Sequence, residues 1–351
     1  MFPMDIRYLI LVLTTRCNLR CRYCYFGESE QPADMPVAVM QQALGLAGTD
    51  SPTFHLQLTG GEPTLVPSLI ETSAALARET GRCHSIGIQT NGACLTRKIL
   101  SIFQQYRIQV GVSLDGPPLI HQNERGMTAE TLNGLRMLES ARIPFRVTAV
   151  VTQANAARLD ELVLVLGGYS MARGIGLDLL VSKGRARESD NVTTADRRTL
   201  AKGLRRMRAT LDAVNARRAV PIRWREWDLI FPDDGRHKKR SGFCHASLAQ
   251  SMAVNPHGKI FPCAQTLEDE RFAAGTVWRP RCEGLSLLKR CHASPASCAA
   301  CEVNEICPGD CPSRLHYNRN RNPALACNLY RALHRMGNGH LHNASQRGSA
   351  P

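Results

Sequence analysis

The fold is decided by the stretch RYLILVLTTRCNLRCRYC at residues 7–24, where an apolar run is followed at once by three cysteines. The run is β-type, and Cys17, Cys21 and Cys24 then share one short loop in a C-x3-C-x2-C spacing. Three thiolates hold an iron–sulfur cluster while leaving one iron without a protein ligand, and such an open iron can bind and cleave a ligand. The alternative is a zinc site, which three cysteines without a nearby His disfavour.

Beyond this stretch, β-type runs alternate with amphipathic segments through the first half of the chain, which indicates βαβ units and a parallel sheet. The predicted strands are 7–13, 54–58, 85–90, 108–114, 145–151 and 175–181. The predicted helices between them are 36–48, 67–81, 96–106, 130–141 and 156–167. Six strands with their crossovers predict an α/β fold, a partial (β/α)6 TIM-like barrel whose chemistry lies in the loops after the strands.

Composition limits the class of protein. Of the 351 residues 43% are hydrophobic, and the longest early apolar run, 8–13, is too short for a membrane span or a signal peptide, so we expect a cytoplasmic protein. In a reducing compartment, 14 cysteines indicate metal or cluster ligation rather than disulfides. The net charge of +14 is concentrated in residues 183–240 and fits an acidic peptide, a nucleic acid, a membrane surface or a solvated basic helix.

The chain is predicted to have four parts. Residues 1–190 form the barrel, and residues 191–243 form a basic helical connector and linker, with apolar residues at helical spacing over 200–214. Residues 244–336 contain most of the cysteines and few periodic elements, as expected of a small module held by metal. Residues 337–351 are rich in Gly, Asn and Ser and are predicted to be disordered.

The first cysteine motif resembles the CxxxCxΦC signature of the radical S-adenosylmethionine (radical SAM) superfamily, with Tyr23 as the aromatic residue. After the second strand, Gly60-Gly61-Glu62-Pro63 is similar to the family's GGEP motif, which meets the amino group of the SAM methionine. Two glycines let the backbone approach a ligand, and the carboxylate can pair with the ammonium.

Three later loops add to the resemblance. Gln89-Thr90-Asn91-Gly92 and Ser113-Leu114-Asp115-Gly116-Pro117 resemble segments that line the SAM pocket, which makes Asn91 and Ser113 expected SAM contacts. The segment HQNER at 121–125 is similar to an H-D-x-x-R stretch and implies a SAM contact by Arg125, although Gln122 replaces the acid. The segment SKGRA at 182–186 resembles the ending of the sixth strand. Asp115 is the one catalytic candidate.

The later cysteines resemble the seven-cysteine SPASM pattern, which holds two auxiliary 4Fe–4S clusters. As the family assigns them, the ligands of auxiliary cluster I are Cys244, Cys263 and Cys311. Those of auxiliary cluster II are Cys298, Cys301, Cys307 and Cys327. A zinc ribbon explains two CxxC-like pairs but not seven cysteines in this order.

Seven thiols for eight positions leave cluster I one ligand short. Cys282 or Cys291 is one way to complete the site. Otherwise the iron is open to water, to a side chain such as His245, or to a substrate thiol.

The resemblance implies three 4Fe–4S clusters and SAM, which is split to a 5′-deoxyadenosyl radical that abstracts hydrogen from a ribosomally made peptide. The products would be a thioether or C–C crosslink, an epimerised residue or an excised one. A formylglycine-generating sulfatase maturase is the alternative, but such enzymes have an aspartate where this chain has Ala264. A third interpretation is an iron–sulfur electron-transfer protein. The GGEP motif argues against it, because such a protein has no need of a site for the SAM ammonium group.

The expected partners follow from the same resemblance. They are a peptide or protein substrate, recognised through an acidic leader or a separate recognition protein, and a flavodoxin or ferredoxin as reductant. We expect neither a membrane nor a nucleic acid as partner.

Overall fold

A computed structural model describes residues 5–27, 31–47, 49, 51–189, 191–233, 242–291, 298–319 and 324–347 of the protein. Within these ranges nine strands form one sheet, and two more pair with each other. The strands are β1 (Tyr8–Val12), β2 (Phe54–Thr59), β3 (Cys83–Thr90), β4 (Gln109–Ser113), β5 (Phe145–Val151), β6 (Ala172–Leu179), β7 (Arg223–Trp224), β8 (Ser251–Val254), β9 (Ile260–Phe261), β10 (Gly275–Thr276) and β11 (Arg279–Pro280).

The helices connect successive strands in the first half of the chain, and the last three follow one another after β11. They are α1 (Val37–Ala47), α2 (Pro67–Glu79), α3 (Arg97–Gln105), α4 (Pro118–Glu124), α5 (Thr128–Ser140), α6 (Leu159–Gly167), α7 (Arg185–Glu188), α8 (Arg197–Asn215), α9 (Arg225–Ile230), α10 (Cys282–Arg290), α11 (Pro312–Tyr317) and α12 (Leu325–Arg347). The five predicted helices correspond to α1, α2, α3, α5 and α6, with ends displaced by a few residues. The helix predicted over 200–214 lies within α8, whose first turn is capped by the Asp196 carboxylate.

The large sheet has the order β7-β6-β5-β4-β3-β2-β1-β8-β9, and every pairing except β8–β9 is parallel. All six predicted strands are present, as β1 to β6, and they lie side by side in chain order. The sheet has two free edges, which agrees with the prediction of a partial barrel. Because the strands are parallel, the loops that follow them gather at one end of the sheet.

The two faces of the sheet differ in chemistry. In β2, Phe54, Leu56 and Leu58 are buried in the main apolar core, whereas His55 and Gln57 point to the other face and are half-buried. The same alternation recurs in β4 and β5. One face therefore packs against helices and the other forms a polar lining inside the barrel.

Three strands of the large sheet were not predicted. β7 and β9 have two residues each and β8 has four, too short for periodicity to mark them. β7 nonetheless carries Trp224, one of the largest fully buried side chains of the described residues. β8 pairs with β1 from Tyr8 opposite Ser251 to Leu11 opposite Val254, so the sheet continues into the Cys-rich part of the chain.

The prediction of a disordered tail from residue 337 is wrong as far as Arg347, because α12 continues to that residue. A Cβ atom on Gly337 would lie 2.0 Å from the Phe231 ring, so this glycine permits close packing of a helix rather than flexibility. Of the predicted connector and linker over 191–243, residues 234–241 lie outside the described ranges, as do residues 348–351 of the predicted tail. No helix in the described ranges combines the length and the apolar character needed to cross a membrane.

Candidate active site

The three cysteines of the first motif lie on the loop that follows β1. The loop is fixed by a hydrogen bond from the Arg22 backbone N–H to the Glu124 carbonyl at 2.9 Å. Burial raises the pKa of Cys17 to about 11, and the nearby Cys21 and Cys24 add to the shift. The three thiols are therefore neighbours at the end of the sheet where the strand-following loops meet. Three soft sulfur donors suit an iron–sulfur cluster.

The Gly60–Pro63 segment lies directly against this loop. The Gly61 N–H donates to the Thr14 carbonyl at 2.7 Å, and the Glu62 N–H donates to the Arg16 carbonyl at 2.8 Å. A Cβ atom on Gly61 would lie 2.2 Å from the Arg16 oxygen, and one on Gly60 would lie 2.5 Å from the Thr14 oxygen. The two glycines therefore allow one loop backbone to approach another. The sequence had suggested approach to a ligand instead.

The Glu62 carboxylate is buried and held in one orientation. Its Oε1 accepts hydrogen bonds from the Thr64 N–H at 3.0 Å, the Thr64 hydroxyl at 2.5 Å and the Thr90 hydroxyl at 2.6 Å. Its Oε2 accepts one hydrogen bond, from the Asn91 N–H at 2.7 Å. Burial raises the pKa of Glu62, and these donors oppose the rise. Oε2 keeps lone-pair capacity for a further donor such as an ammonium group.

Asn91 joins the third strand's loop to the cysteine loop. Its side-chain N–H donates to Asn18 Oδ1 at 2.8 Å, and Asn18 in turn donates to Cys94 Sγ at 3.2 Å. The Asn91 side chain is thus engaged in positioning the loop. Ser113, also expected at the SAM pocket, lies on the polar lining and accepts a hydrogen bond from Gln89 at 2.9 Å.

Asp115 forms the centre of a buried network. Its carboxylate accepts hydrogen bonds from the Tyr23 hydroxyl, from Arg125 Nε at 2.8 Å and Nη2 at 3.3 Å, and from the Val150 N–H at 2.9 Å. Burial would lower the pKa of Arg125, but Asp115 and Tyr23 outweigh it and the pKa is raised. The guanidinium also lies 5.2 Å from the Tyr23 ring centre. The network positions Tyr23 and Arg125, which is a different role from the catalytic one suggested for Asp115.

Gly184 and Arg185 also lie at the end of the sheet where the strand-following loops meet, and neither was among the predicted site residues. Gly184 has a φ of +55°, and a Cβ atom there would lie 2.5 Å from the Cys24 carbonyl, which accepts a hydrogen bond from the Arg185 N–H at 3.0 Å. The Nε and Nη1 atoms of Arg185 are buried without a hydrogen-bond partner. Unpaired buried donors of a cation indicate space for an anionic ligand group. The SKGRA match was the sequence signal for this residue.

Cys244, Cys263 and Cys311 form a second group of neighbouring thiols. Burial raises the pKa of Cys263, and Cys311 and Cys244 raise it further. Cys311 Sγ contacts Gln265 Oε1 at 3.5 Å and Ser313 Oγ at 3.0 Å. These polar atoms lie beside the site for which the sequence supplies only three thiols.

The remaining pattern cysteines form a third group. Burial raises the pKa of Cys307, and Cys327, Cys301 and Cys298 all contribute to the rise. Cys301 Sγ accepts a hydrogen bond from Arg331 Nη2 at 3.4 Å. The structure thus brings the four cysteines that the SPASM pattern assigns to one cluster into one neighbourhood.

Two cysteines were candidates for completing the second group. Burial alone raises the pKa of Cys291, and its Sγ lies 3.8 Å from the Leu287 carbonyl oxygen. The Cys282 side chain lies outside what the structure describes.

Thirteen cysteines have described side chains, and all of them are free thiols. In the described ranges no three His, Cys, Asp or Glu side chains converge tightly enough to hold a single metal ion.

Comparison with known proteins agrees with this geometry. Residues 11–164 match the model of the radical SAM superfamily. The chain therefore contains a radical SAM domain. An uncharacterised protein of Methanocaldococcus jannaschii is 28% identical over 75% of this chain and 86% of its own. The serine-type anaerobic sulfatase-maturating enzyme of Klebsiella aerogenes is 26% identical over 94% of this chain and 84% of its own.

The fold of the whole chain is similar to that of a solved protein. The structure of native anSMEcpe with bound AdoMet has a TM-score of 0.77 and 18% identity, and covers 97% of this chain and 99% of its own. The same protein is solved with AdoMet and a Kp18Cys peptide, with a TM-score of 0.75, 19% identity, and coverage of 97% of this chain and 99% of its own. The predicted fold class, a partial (β/α)6 barrel followed by a small Cys-rich SPASM domain, is confirmed.

Proposed function

We propose that the protein is a radical SAM/SPASM maturase that modifies a ribosomally made peptide. The observation that carries the proposal is the docking of the Gly60–Pro63 segment on the cysteine loop by two backbone hydrogen bonds. This contact brings a buried carboxylate, Glu62, next to Cys17, whose pKa it helps to raise. An open-iron cluster and an ammonium acceptor side by side are what SAM binding requires.

The chain's own residues divide the work at this site. Cys17, Cys21 and Cys24 would hold a 4Fe–4S cluster, and Glu62 Oε2 would accept a hydrogen bond from the SAM ammonium. The unpaired Arg185 donors would pair with an anionic group. When bound, cluster and SAM together supply the 5′-deoxyadenosyl radical that abstracts a substrate hydrogen. The barrel orients the substrate and excludes water and competing hydrogen donors.

We propose three clusters in all. The thiols of the two cysteine patterns form three groups, and within each group neighbouring cysteines raise one another's pKa. In this assignment residues 1–190 form the barrel, 191–243 the connector and 244–336 the auxiliary-cluster domain. The large number of thiols supports a reducing compartment, and hence a cytoplasmic location.

A peptide substrate is supported by the polar inner face of the barrel. Gly87 and Gly111 allow the Gln57 and Gln89 side chains to lie flat against the strands there, since a Cβ atom on either glycine would lie within 3.0 Å of one of these amide oxygens. Amide side chains on strands suit the hydrogen-bonding groups of a peptide backbone. The relatives named for acting on a sulfatase or solved with a peptide support the same substrate class. A flavodoxin or ferredoxin is proposed as the reductant.

The first experiment reconstitutes the full chain with iron and sulfide under anaerobic conditions, adds dithionite and SAM, and measures 5′-deoxyadenosine. We expect its formation, with about twelve irons per chain if three clusters assemble. Iron loading without any 5′-deoxyadenosine would contradict the proposal and favour an iron–sulfur electron-transfer protein.

Formylglycine formation is the second candidate, favoured by the whole-chain match to a sulfatase-maturating enzyme. The residue after Cys263 is Ala264, so the aspartate base of that chemistry is missing. A sulfatase-derived peptide with Ser or Cys at the target position separates the two candidates. Conversion of that residue to an aldehyde, detected by hydrazine labelling and mass, would replace our proposal with this one.

A further inference from the structure

A basic groove lies between α8 and α12, and none of the residues that line it is a predicted SAM contact. It has a volume of about 430 Å³. Its floor is apolar and includes Ala201, Ala332 and Met336. Its walls carry five arginines, three from α8 and two from α12. They are Arg197, Arg205, Arg208, Arg331 and Arg335. We call this feature the α8–α12 groove.

The positive charge of the α8–α12 groove is only partly compensated. Arg208 pairs with Asp212 at 2.8 Å, and Arg335 pairs with Glu302 at 2.9 Å. Arg197 and Arg205 are exposed, and neither forms an ion pair within the described ranges. Unpaired guanidinium groups on one wall attract a partner with carboxylates.

The groove borders the third thiol group. Arg331 lines the groove and donates a hydrogen bond to Cys301 Sγ. The chain around this cysteine is at the surface, because Glu302, Asn304 and Glu305 are exposed. A partner seated in the groove therefore comes close to a sulfur atom that the proposed function assigns to a cluster.

We propose that the α8–α12 groove docks an acidic electron-transfer protein of the flavodoxin or ferredoxin type, which exchanges one electron with the cluster that Cys301 helps to hold. The inference rests on the proposed function, since it needs that cluster. The step transfers a single electron, so the cluster is oxidised as the partner is reduced, or the reverse, and no bond is formed or broken. Redox encounters use small interfaces that are steered by charge, which agrees with the unpaired arginines of the groove.

The contact with Cys301 favours a redox partner over an acidic leader peptide. A leader needs only charge and apolar contacts, and its binding would gain nothing from an arginine shared with a cysteine sulfur. Electron transfer requires the two redox centres to be close, and Arg331 links the groove to one of them.

The test measures binding of flavodoxin to the reconstituted full chain by isothermal titration calorimetry. The groove variant is Arg197→Glu/Arg205→Glu, and the matched control is Arg97→Glu/Lys98→Glu, which reverses two exposed charges on α3. At low salt we expect the groove variant to bind roughly tenfold more weakly and the control to bind like the native chain. At about 0.3 M salt the difference should shrink, because exposed charges are screened.

Equal Kd values for the groove variant and the native chain, or equal weakening in the control, would overturn the proposed docking site. A second measurement mixes reduced flavodoxin with the oxidised clusters and follows their bleaching in a stopped-flow instrument. Salt-dependent binding without electron transfer would overturn the redox assignment and leave a site for an acidic peptide. SAM cleavage by the native chain with dithionite needs no docking partner, so its failure would refute the proposed function separately.

Discussion

Replacing Asp115 by Asn tests whether the buried network behind the cysteine loop positions the site. Asp115 is fully buried, and the Arg125 side chain that it pairs with is only 10% exposed. Asn keeps the shape but removes the charge. The described residues offer Arg125 no second carboxylate at ion-pair distance. An uncompensated buried charge of this kind costs about 3–5 kcal/mol.

The expected loss can be measured by thermal unfolding of the metal-free chain under reducing conditions. At roughly 2 °C per kcal/mol for a protein of this size, Asp115→Asn should lower Tm by about 6–10 °C. Glu270→Gln is the control, because it breaks the exposed Lys259–Glu270 pair, which contributes at most about 1 kcal/mol. The loss should also reduce iron uptake by the cysteine loop, since Tyr23 is fixed by Asp115.

A double-mutant cycle tests whether the energy comes from the Asp115–Arg125 pair. Arg125→Gln removes the charge that Asp115→Asn leaves behind, so the double variant should be less destabilised than the sum of the single variants by about 2 kcal/mol or more. Additive effects, or a Tm for Asp115→Asn no lower than that of Glu270→Gln, would show that the pair does not carry this energy.

Four further predictions concern the candidate active site and the second thiol group. Replacing all three core cysteines by Ala should remove about four irons per chain and abolish 5′-deoxyadenosine formation, with the other irons retained; residual product would refute the assignment. Glu62→Gln should weaken SAM binding roughly tenfold in equilibrium dialysis at unchanged iron content, and unaltered affinity would contradict it. Burial lowers the pKa of His121 to about 4, below the ~6.5 of the unfolded chain. The free energy of unfolding should therefore decrease as pH drops from about 6.5 to 4. In urea unfolding, this decrease should be smaller by about 3 kcal/mol for His121→Gln than for the native chain. Parallel pH profiles of the two proteins would contradict this prediction. Burial alone raises the pKa of Cys291, with no contribution from the thiols of the second group. Cys291→Ala should therefore leave the iron content and the paramagnetic resonance signal of auxiliary cluster I intact, and loss of that signal would show that Cys291 is a ligand.

The sequence predicts the six central strands because each combines an apolar run with a distinctive loop. The strand over 145–151 has the predicted ends, and the others are displaced by up to three residues. The same loops carry the site residues, so their meeting at one end of the sheet follows from parallel pairing alone. Local pattern and long-range arrangement agree here, and prediction is accurate.

The rest depends on contacts between distant parts of the chain. The pairing of β8 with β1 joins residues more than two hundred positions apart, and four residues are too few to show a period. A side chain at Gly60 would collide with Thr14, and one at Gly337 would collide with Phe231. No local sequence pattern identifies either neighbour. The GGEP motif suggested approach to a ligand for Gly60, and composition suggested disorder around Gly337. In both cases the three-dimensional neighbour decided the role.

The position of β1 brings two of the three thiol groups to the same part of the molecule. Cys24 lies on the loop after β1, and Cys263 follows the β8–β9 pair that extends the sheet on the β1 side. Burial raises the pKa of Tyr25, and both Cys263 and Cys24 add to the rise, so this tyrosine is near both groups. Lys183 is under the influence of the same two cysteines and donates a hydrogen bond to the Leu267 carbonyl. If the proposed clusters assemble on both thiol groups, Tyr25 lies near each of them.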